Sequence, residues 1–427
     1  MSERVAGRDG TDEDPLLAVE GLETHYPVRE GLLRREVDRV RAVDGVSFDL
    51  RRGEALGVVG ESGSGKTTLA HSILGLEEPT GGSIRFDGRA VGDLSGDALD
   101  SFRRRVQLIV QDPGDALSPR MRVGEAVAEP LVLHGMGDTE RRRAIVEDAL
   151  ERVDLAAGDA DRYPHEFSSG ERQRIAIARA LVVDPDLLVA DEPTSALDGR
   201  TKARVLELLD EIRREYDVSL LFVSHDVDVV ERFCDRVAVM YLGELVERGP
   251  VGDVLSAPAH PYTRLLVDSA PSLDPGVGAG GRPLTDAMPD VADPPDGCRF
   301  HSRCPAVIQP DGVDLSPERW RAVAAFRFTL EAGDLPAAVT GDAPDEKTVR
   351  EAFDLPESFR DSTVEAAVDD AVAALASGAR DEAVDRLAET FETVCERDAP
   401  ATVRTDDGRP VLCHRYDDER TGEPRSR

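Results

Sequence analysis

Lysine is almost missing from this 427-residue chain. Only Lys66, Lys202 and Lys347 occur among 52 basic residues, and the rest are arginines. Set against 85 acidic residues, they leave a formal charge of −33. That balance argues against nucleic acid as a partner, because neutralising phosphates needs clustered Lys and Arg. An acidic surface nearly free of lysine suggests a high-salt cytoplasm, where self-repulsion is screened over roughly 3 Å at about 1 M salt. Arg-favouring codon use is the alternative, but it does not explain the excess acid.

Long apolar runs are also lacking. No stretch reaches the roughly 18 uncharged apolar residues that span a bilayer. The N-terminal MSERVAGRDGTDEDP has no apolar segment of the signal-peptide kind. The expectation is a soluble, cytosolic protein whose membrane role comes through a partner. Cysteine is scarce, with five in the chain. In a reducing compartment these are expected as metal ligands or free thiols rather than disulfides.

What is present folds. Hydrophobic residues make up 40%, and the length allows two or three structural units. Residues 1–14 are polar and expected to be disordered. From 15 to 270, short apolar runs alternate with helical patterns, which reads as α/β. The runs are ALGVVG (55–60), VQLIVQ (106–111), LLVADEP (187–193) and LLFVSHD (220–226), each suited to a buried strand. VAVMYLGELVERG (237–249) reads as a hairpin turning at Gly243. Pro and Gly mark 271–295 as a linker. Residues 296–427 form a different unit. Within it, Val364, Val368, Val372 and Leu375, then Val384, Leu387, Phe391 and Val394, fit two helices joined near Gly378.

The chemistry begins at Gly60-Glu61-Ser62-Gly63-Ser64-Gly65-Lys66-Thr67, which satisfies G-x-x-x-x-G-K-[ST]. A strand pattern precedes it, and Thr67 and Thr68 open a helix pattern. The loop's backbone N–H groups and the helix N-terminus would cradle phosphates. Lys66 would reach the β- and γ-phosphates, and the Thr67 hydroxyl would ligate Mg²⁺. Asp191 and Glu192 end a buried strand pattern, where an α/β sheet presents chemistry. Asp191 suits the Mg²⁺ shell and Glu192 a base that polarises the attacking water. His225 ends the next strand and suits contact with the γ-phosphate.

These motifs, with others in the same order, resemble the ABC ATPase family over about 16–250. Gln111 stands as in the family's Q-loop, a catalytic and Mg²⁺-contacting position. Phe167-Ser168-Ser169-Gly170-Glu171 occupies the place of the signature LSGGQ, and Ser195-Ala196-Leu197-Asp198 matches the D-loop. Tyr26 stands as the adenine-stacking aromatic does. The resemblance implies a P-loop NTPase core with a helical subdomain at 112–180. It implies a dimer in which Ser168 and Gly170 of one chain serve ATP bound to the other, with Asp198 also among the nucleotide-binding residues. Two signature positions depart from the pattern: Ser169 replaces glycine and Glu171 replaces glutamine. A Cβ at Ser169 and a charge at Glu171 could make that composite site the weaker of two; tolerated variation with full activity is the alternative.

Further segments resemble the oligopeptide/dipeptide importer ATPases, a group that includes importers of nickel and other solutes. They are Gln111-Asp112-Pro113, Leu117-Ser118-Pro119-Arg120-Met121, Tyr163-Pro164-His165-Glu166-Phe167 and His260-Pro261-Tyr262-Thr263. Cys298 and Cys304 begin that group's C-terminal cysteine motif. Asp311 stands where a third cysteine usually falls, and Cys395 and Cys413-His414 look like the missing half. The expectation is a helical insertion at about 307–393, with the fold returning all four cysteines to one place. They could hold a [4Fe–4S] cluster, zinc or nothing; Cys234 is expected as a buried small apolar residue.

The resemblance implies an ATPase on the cytoplasmic face of the membrane, driving import of peptides. Its partners would be permease subunits, a second ATPase subunit and, indirectly, an extracellular solute-binding protein. A soluble ABC protein acting on ribosomes or DNA fits poorly, since the chain has one cassette and is acidic. A non-hydrolysing regulatory subunit fits poorly, since Glu192 and His225 are both present.

Overall fold

A computed structural model describes residues 14–30, 35–269, 283–340 and 344–417. The chain divides into two compact units, Met1–Leu245 and Val246–Arg427. Residues 246–269, read from the sequence as the end of the ATPase domain, therefore belong to the second unit. The expected disorder of 1–14 falls, but for Asp14, outside the described residues.

The first unit holds two sheets. In one, β1 (Leu17–Glu30) lies between β2 (Arg35–Leu50) and β4 (Gly81–Phe86), all antiparallel, with β5 (Arg89–Ala90) beyond β4. The other is parallel: β3 (Ala55–Val59), β6 (Val106–Ile109), β7 (Leu187–Asp191), β8 (Ser219–Ser224) and β9 (Arg236–Tyr241), in the order β9-β3-β8-β7-β6. Every residue of β3, β7 and β8 is buried, as expected for parallel strands covered on both faces. That explains why they read as unbroken apolar runs rather than alternating ones. The core also draws in Leu69, Ala70 and Ile73 from the helix Lys66–Ile73 and Leu17, Val19 and Leu22 from β1.

Register places the chemistry. Val59 pairs with Ser224 and Asp191 with Val223, so β3, β7 and β8 end level. The loops that follow share one edge of the sheet, the edge where open α/β sheets bind ligands. Between β6 and β7 the chain is helical, with helices Val123–Leu133, Thr139–Arg152 and Ser169–Leu181. Leu242 and Gly243, both at positive φ, turn the chain after β9.

β10 (Glu244–Pro250) runs across the division at Val246; in the second unit its Glu247 pairs antiparallel with Val411 of β12 (Pro410–Leu412), which also pairs antiparallel with β11 (Thr402–Arg404). Residues 270–282, which include the first twelve of the expected linker 271–295, lie outside the described residues. The rest is partly packed: Leu284 and Thr285 are buried, and the Leu284 N–H donates to the Arg303 carbonyl. The helices Ser362–Ala376 and Arg380–Phe391 flank Gly378, which sits at φ +82. Ala383, not Val384, faces the core, and Val394 lies past the end of that helix, in the separate short helix Val394–Arg397.

Candidate functional site: a phosphate cradle with a braced carboxylate

The loop 60–67 joins β3 to the helix Lys66–Ile73. Its glycines are required sterically. A Cβ on Gly65, at φ +101, would stand 1.9 Å from the Ala42 carbonyl oxygen. One on Gly60 would meet the Met240 carbonyl oxygen at 2.1 Å. Gly65 also caps the helix without a side chain, leaving its first N–H groups for a ligand.

Lys66 is only 5% exposed. Its Nζ donates to the Gly60 and Glu61 carbonyls, both at 2.8 Å. Burial lowers its pKa, opposed by the charges of Glu192 and Asp191. The ammonium is thus held among oxygens that a phosphate could replace. Asp191 is 6% exposed, and burial raises its pKa against a hydrogen bond from Thr67. Its Oδ1 is buried without a hydrogen-bond partner. A buried carboxylate oxygen left unpaired costs free energy unless a cation joins it. Beside the Thr67 hydroxyl, that oxygen suits Mg²⁺, a hard cation that takes oxygen ligands.

Glu192 is the centre of the group. Gln111 Nε2 donates to its Oε2 at 3.3 Å, and His225 Nδ1 lies 3.1 Å from its Oε1. Three residues from the ends of three strands are thereby brought together. Glu192 has φ +46, a left-handed conformation that costs a non-glycine residue and is over-represented at active sites. Tyr26 is half-buried on β1, opposite Val40.

The signature residues lie at the start of the helix Ser169–Leu181. Ser168 is its N-cap, in a capping box with Glu171. The Ser168 N–H and hydroxyl donate to Glu171 Oε2 at 2.8 and 2.6 Å. The Ser168 hydroxyl, then the Ser168 N–H, hold Glu171 below the usual carboxylate range. The Glu171 charge is therefore turned onto its own helix cap. Ser169 is exposed. Gly170 is buried, and a Cβ there would lie 2.1 Å from Thr201 Cγ2. Asp198 caps the helix Gly199–Tyr216, accepting from Arg200 and Thr201.

In the second unit, Cys304, Cys395 and Cys413 are buried and Cys298 is half-buried. Burial first, then the charges of Cys298, Cys413 and Cys395, push the Cys304 thiol well above its ordinary range. Burial foremost pushes Cys413 up to about 12. The Cys298 N–H donates to the Cys395 carbonyl at 2.7 Å. The four cysteines are neighbours, though the first and last lie 115 positions apart. Among the described residues, however, no three His, Cys, Asp or Glu side chains converge as ligands on one ion. The expected metal group of Cys298, Cys304, Cys395 and Cys413 is corrected to that extent: the thiols gather, but as placed they form no group that could hold a metal ion. Cys234 is buried, which drives its thiol far above the ordinary range.

Several positioning residues escaped the sequence reading. Glu247 and Arg409 form a buried ion pair, 0% and 8% exposed at the side chain. Arg409 also donates to the Asp253 and Ala257 carbonyls. Glu247 accepts from the Ala259 and His260 N–H groups. His260 accepts from the Tyr262 N–H at Nδ1 and bonds the Leu412 backbone, and burial lowers its pKa to about 3. Glu247 and His260 thus form a clasp that holds the segment 409–412. Only the motif's presence hinted at this; Arg409 carried no local signal.

A family model described as ABC transporter matches residues 43–195, and one described as the oligopeptide/dipeptide transporter C-terminal region matches 246–309. A domain of unknown function matches 317–408. A Brucella ovis protein bearing the name of a peptide import ATP-binding protein is 48% identical over 69% of this chain and 91% of its own. The oligopeptide transport ATP-binding protein AppF of Bacillus subtilis is 43% identical, over 72% and 94%. Among solved structures, a subunit of the Clostridium perfringens ABC transporter complex cbiONQ is 30% identical. It covers 57% of this chain and 92% of its own, with a TM-score of 0.50. The chain belongs to the ABC transporter ATP-binding proteins, whose substrate is ATP with Mg²⁺. Its particular branch is that of the oligopeptide/dipeptide transporters. Among the described residues no helix is long and apolar enough to cross a membrane.

Proposed function

We propose that this chain hydrolyses ATP to drive import of di- or oligopeptides through separate permease subunits, from the cytoplasmic face of the membrane. The match of 246–309 to the oligopeptide/dipeptide transporter C-terminal region carries the cargo reading. ATP lies on the loop 60–67, with Thr67, Asp191 and Gln111 around Mg²⁺. Glu192 polarises the attacking water, and His225 holds Glu192 and meets the γ-phosphate. A second ATPase subunit, identical or not, completes each site through the positions equivalent to Ser168, Gly170 and Asp198. A solute-binding protein delivers cargo from outside. Uptake of labelled peptides by a strain lacking this chain tests the reading. Restoration by the wild type but not by Glu192→Gln is expected; restored nickel uptake with no effect on peptides would replace peptide by nickel.

The cysteines support a second reading, that they hold a [4Fe–4S] cluster. A cluster spreads its thiolates over four irons, so its ligands need not converge on one point. Largely buried thiols, with Cys298, Cys395 and Cys413 all near enough to act on Cys304, suit it. Bound, it would cross-link the segments that carry Cys298, Cys304, Cys395 and Cys413. Iron and sulfide should copurify anaerobically and fall in Cys298→Ser; zinc instead, or no metal in either protein, ends this reading.

A further inference from the structure

We infer that Lys202 is a positioning residue for ATP hydrolysis, acting on His225 through Asp226. The inference rests on the reading of Glu192 and His225 as the hydrolytic pair. Lys202 is one of three lysines in the chain. It lies in the first turn of the helix Gly199–Tyr216, and its Nζ donates to Asp226 Oδ2.

Asp226 follows His225 directly and is held on three sides. Its N–H donates to Ser224 Oγ at 2.9 Å, and its Oδ1 accepts from the Val229 N–H at 3.3 Å as the cap of the helix Val227–Phe233. Its Oδ2 takes Lys202. Burial works to raise the Asp226 pKa, but Lys202 and the helix amides overcome it, so the carboxylate stays charged. Ser224, on the other side of His225, is the buried last residue of β8. His225 is therefore a single residue strung between two anchors. Its side chain is 57% exposed, so its aim at Glu192 is set by that backbone rather than by packing.

The other end of the link reaches the signature. Thr201, adjacent to Lys202, fills the space beside Gly170. One helical turn thus touches the signature helix with one residue and the anchor of His225 with the next. The Lys202–Asp226 pair is partly exposed, 26% and 32%, and such pairs contribute little stability. Its loss belongs in turnover, not in unfolding.

The test is steady-state ATP hydrolysis and melting of the full-length chain carrying Lys202→Gln, Asp226→Asn or both. Asn keeps the helix cap while removing the charge. Each single variant should lower kcat about tenfold, as expected when a catalytic group is misplaced but not removed. KM for ATP and the melting temperature should hold, Lys202→Arg should recover part of the loss, and the double variant should be no worse than the poorer single. An unchanged kcat in Lys202→Gln, losses that multiply in the double variant, or a matching loss of stability would overturn the inference. Glu192→Gln separates the two levels. If it still hydrolyses ATP, the reading beneath fails; if it does not and Lys202→Gln is normal, only the role of Lys202 fails.

Discussion

In the first unit the phosphate cradle is eight consecutive residues, Gly60 to Thr67. In the second, Glu247 meets Arg409 across 162 positions of chain. The first site is polar, built from strand ends that one sheet edge brings together. The clasp in the second is buried and has no evident substrate. It uses an ion pair and a neutral histidine to hold distant segments, among them the one that leads into Cys413. The difference teaches that local motifs mark where a ligand binds, whereas closure of the fold rests on charges whose partners are remote.

The sharpest way to break the first region is Gly65→Ala. The conformation at φ +101 and the 1.9 Å approach to the Ala42 carbonyl leave no room for a methyl group. Strain of this kind costs on the order of 1–3 kcal/mol before any clash, so ATP affinity, measured by titration with a fluorescent analogue, should fall more than about tenfold.

The matching break in the second unit is Arg409→Met. It leaves Glu247 buried without its cation, a change that costs about 3–5 kcal/mol. Denaturant unfolding should show that loss in the transition of the second unit, with ATP affinity intact.

A gentler probe is pH. His260 is neutral in the fold, with a pKa of about 3 against an ordinary 6.5. Below 6.5 the unfolded chain takes up a proton that the folded one refuses, so stability is lost as pH falls from 6.5 toward 3. Burial raises the Glu247 pKa, which works in the opposite sense above 4.5. His260→Asn, which can still accept from the Tyr262 N–H, should flatten the decline in melting temperature between about pH 7 and pH 5.

The smallest effect is expected at Glu171. Its carboxylate occupies the Ser168 N–H and hydroxyl, groups that would otherwise be free for phosphate. Glu171→Gln weakens that hold, and turnover of the assembled transporter should rise by up to about fivefold, the worth of one hydrogen bond. No change would favour a signature that is fully active as it stands.

Much of the cradle was legible in the sequence because its motifs are contiguous and each strand announces itself as an apolar run. Gln111, Glu192 and His225 could be named singly, but their meeting depends on the order β3-β8-β7-β6, which no local pattern encodes. The capping role of Glu171 follows from Ser168-x-x-Glu171, a pattern that could have been read. The helix pair around Gly378 was visible from its spacing; the swap of Ala383 for Val384 in the core was not, since both are apolar. Arg409, Glu247 and Lys202 look like any surface charge until the fold supplies their partners.

The central claim is that Glu192, braced by Gln111 and His225, performs hydrolysis at the cradle of Lys66. The direct measurement is ATP binding and single-turnover hydrolysis by the Glu192→Gln chain. Binding should stay near wild type while hydrolysis falls by about 10²–10⁴-fold, the range for loss of a general base. Hydrolysis at the wild-type rate would contradict it.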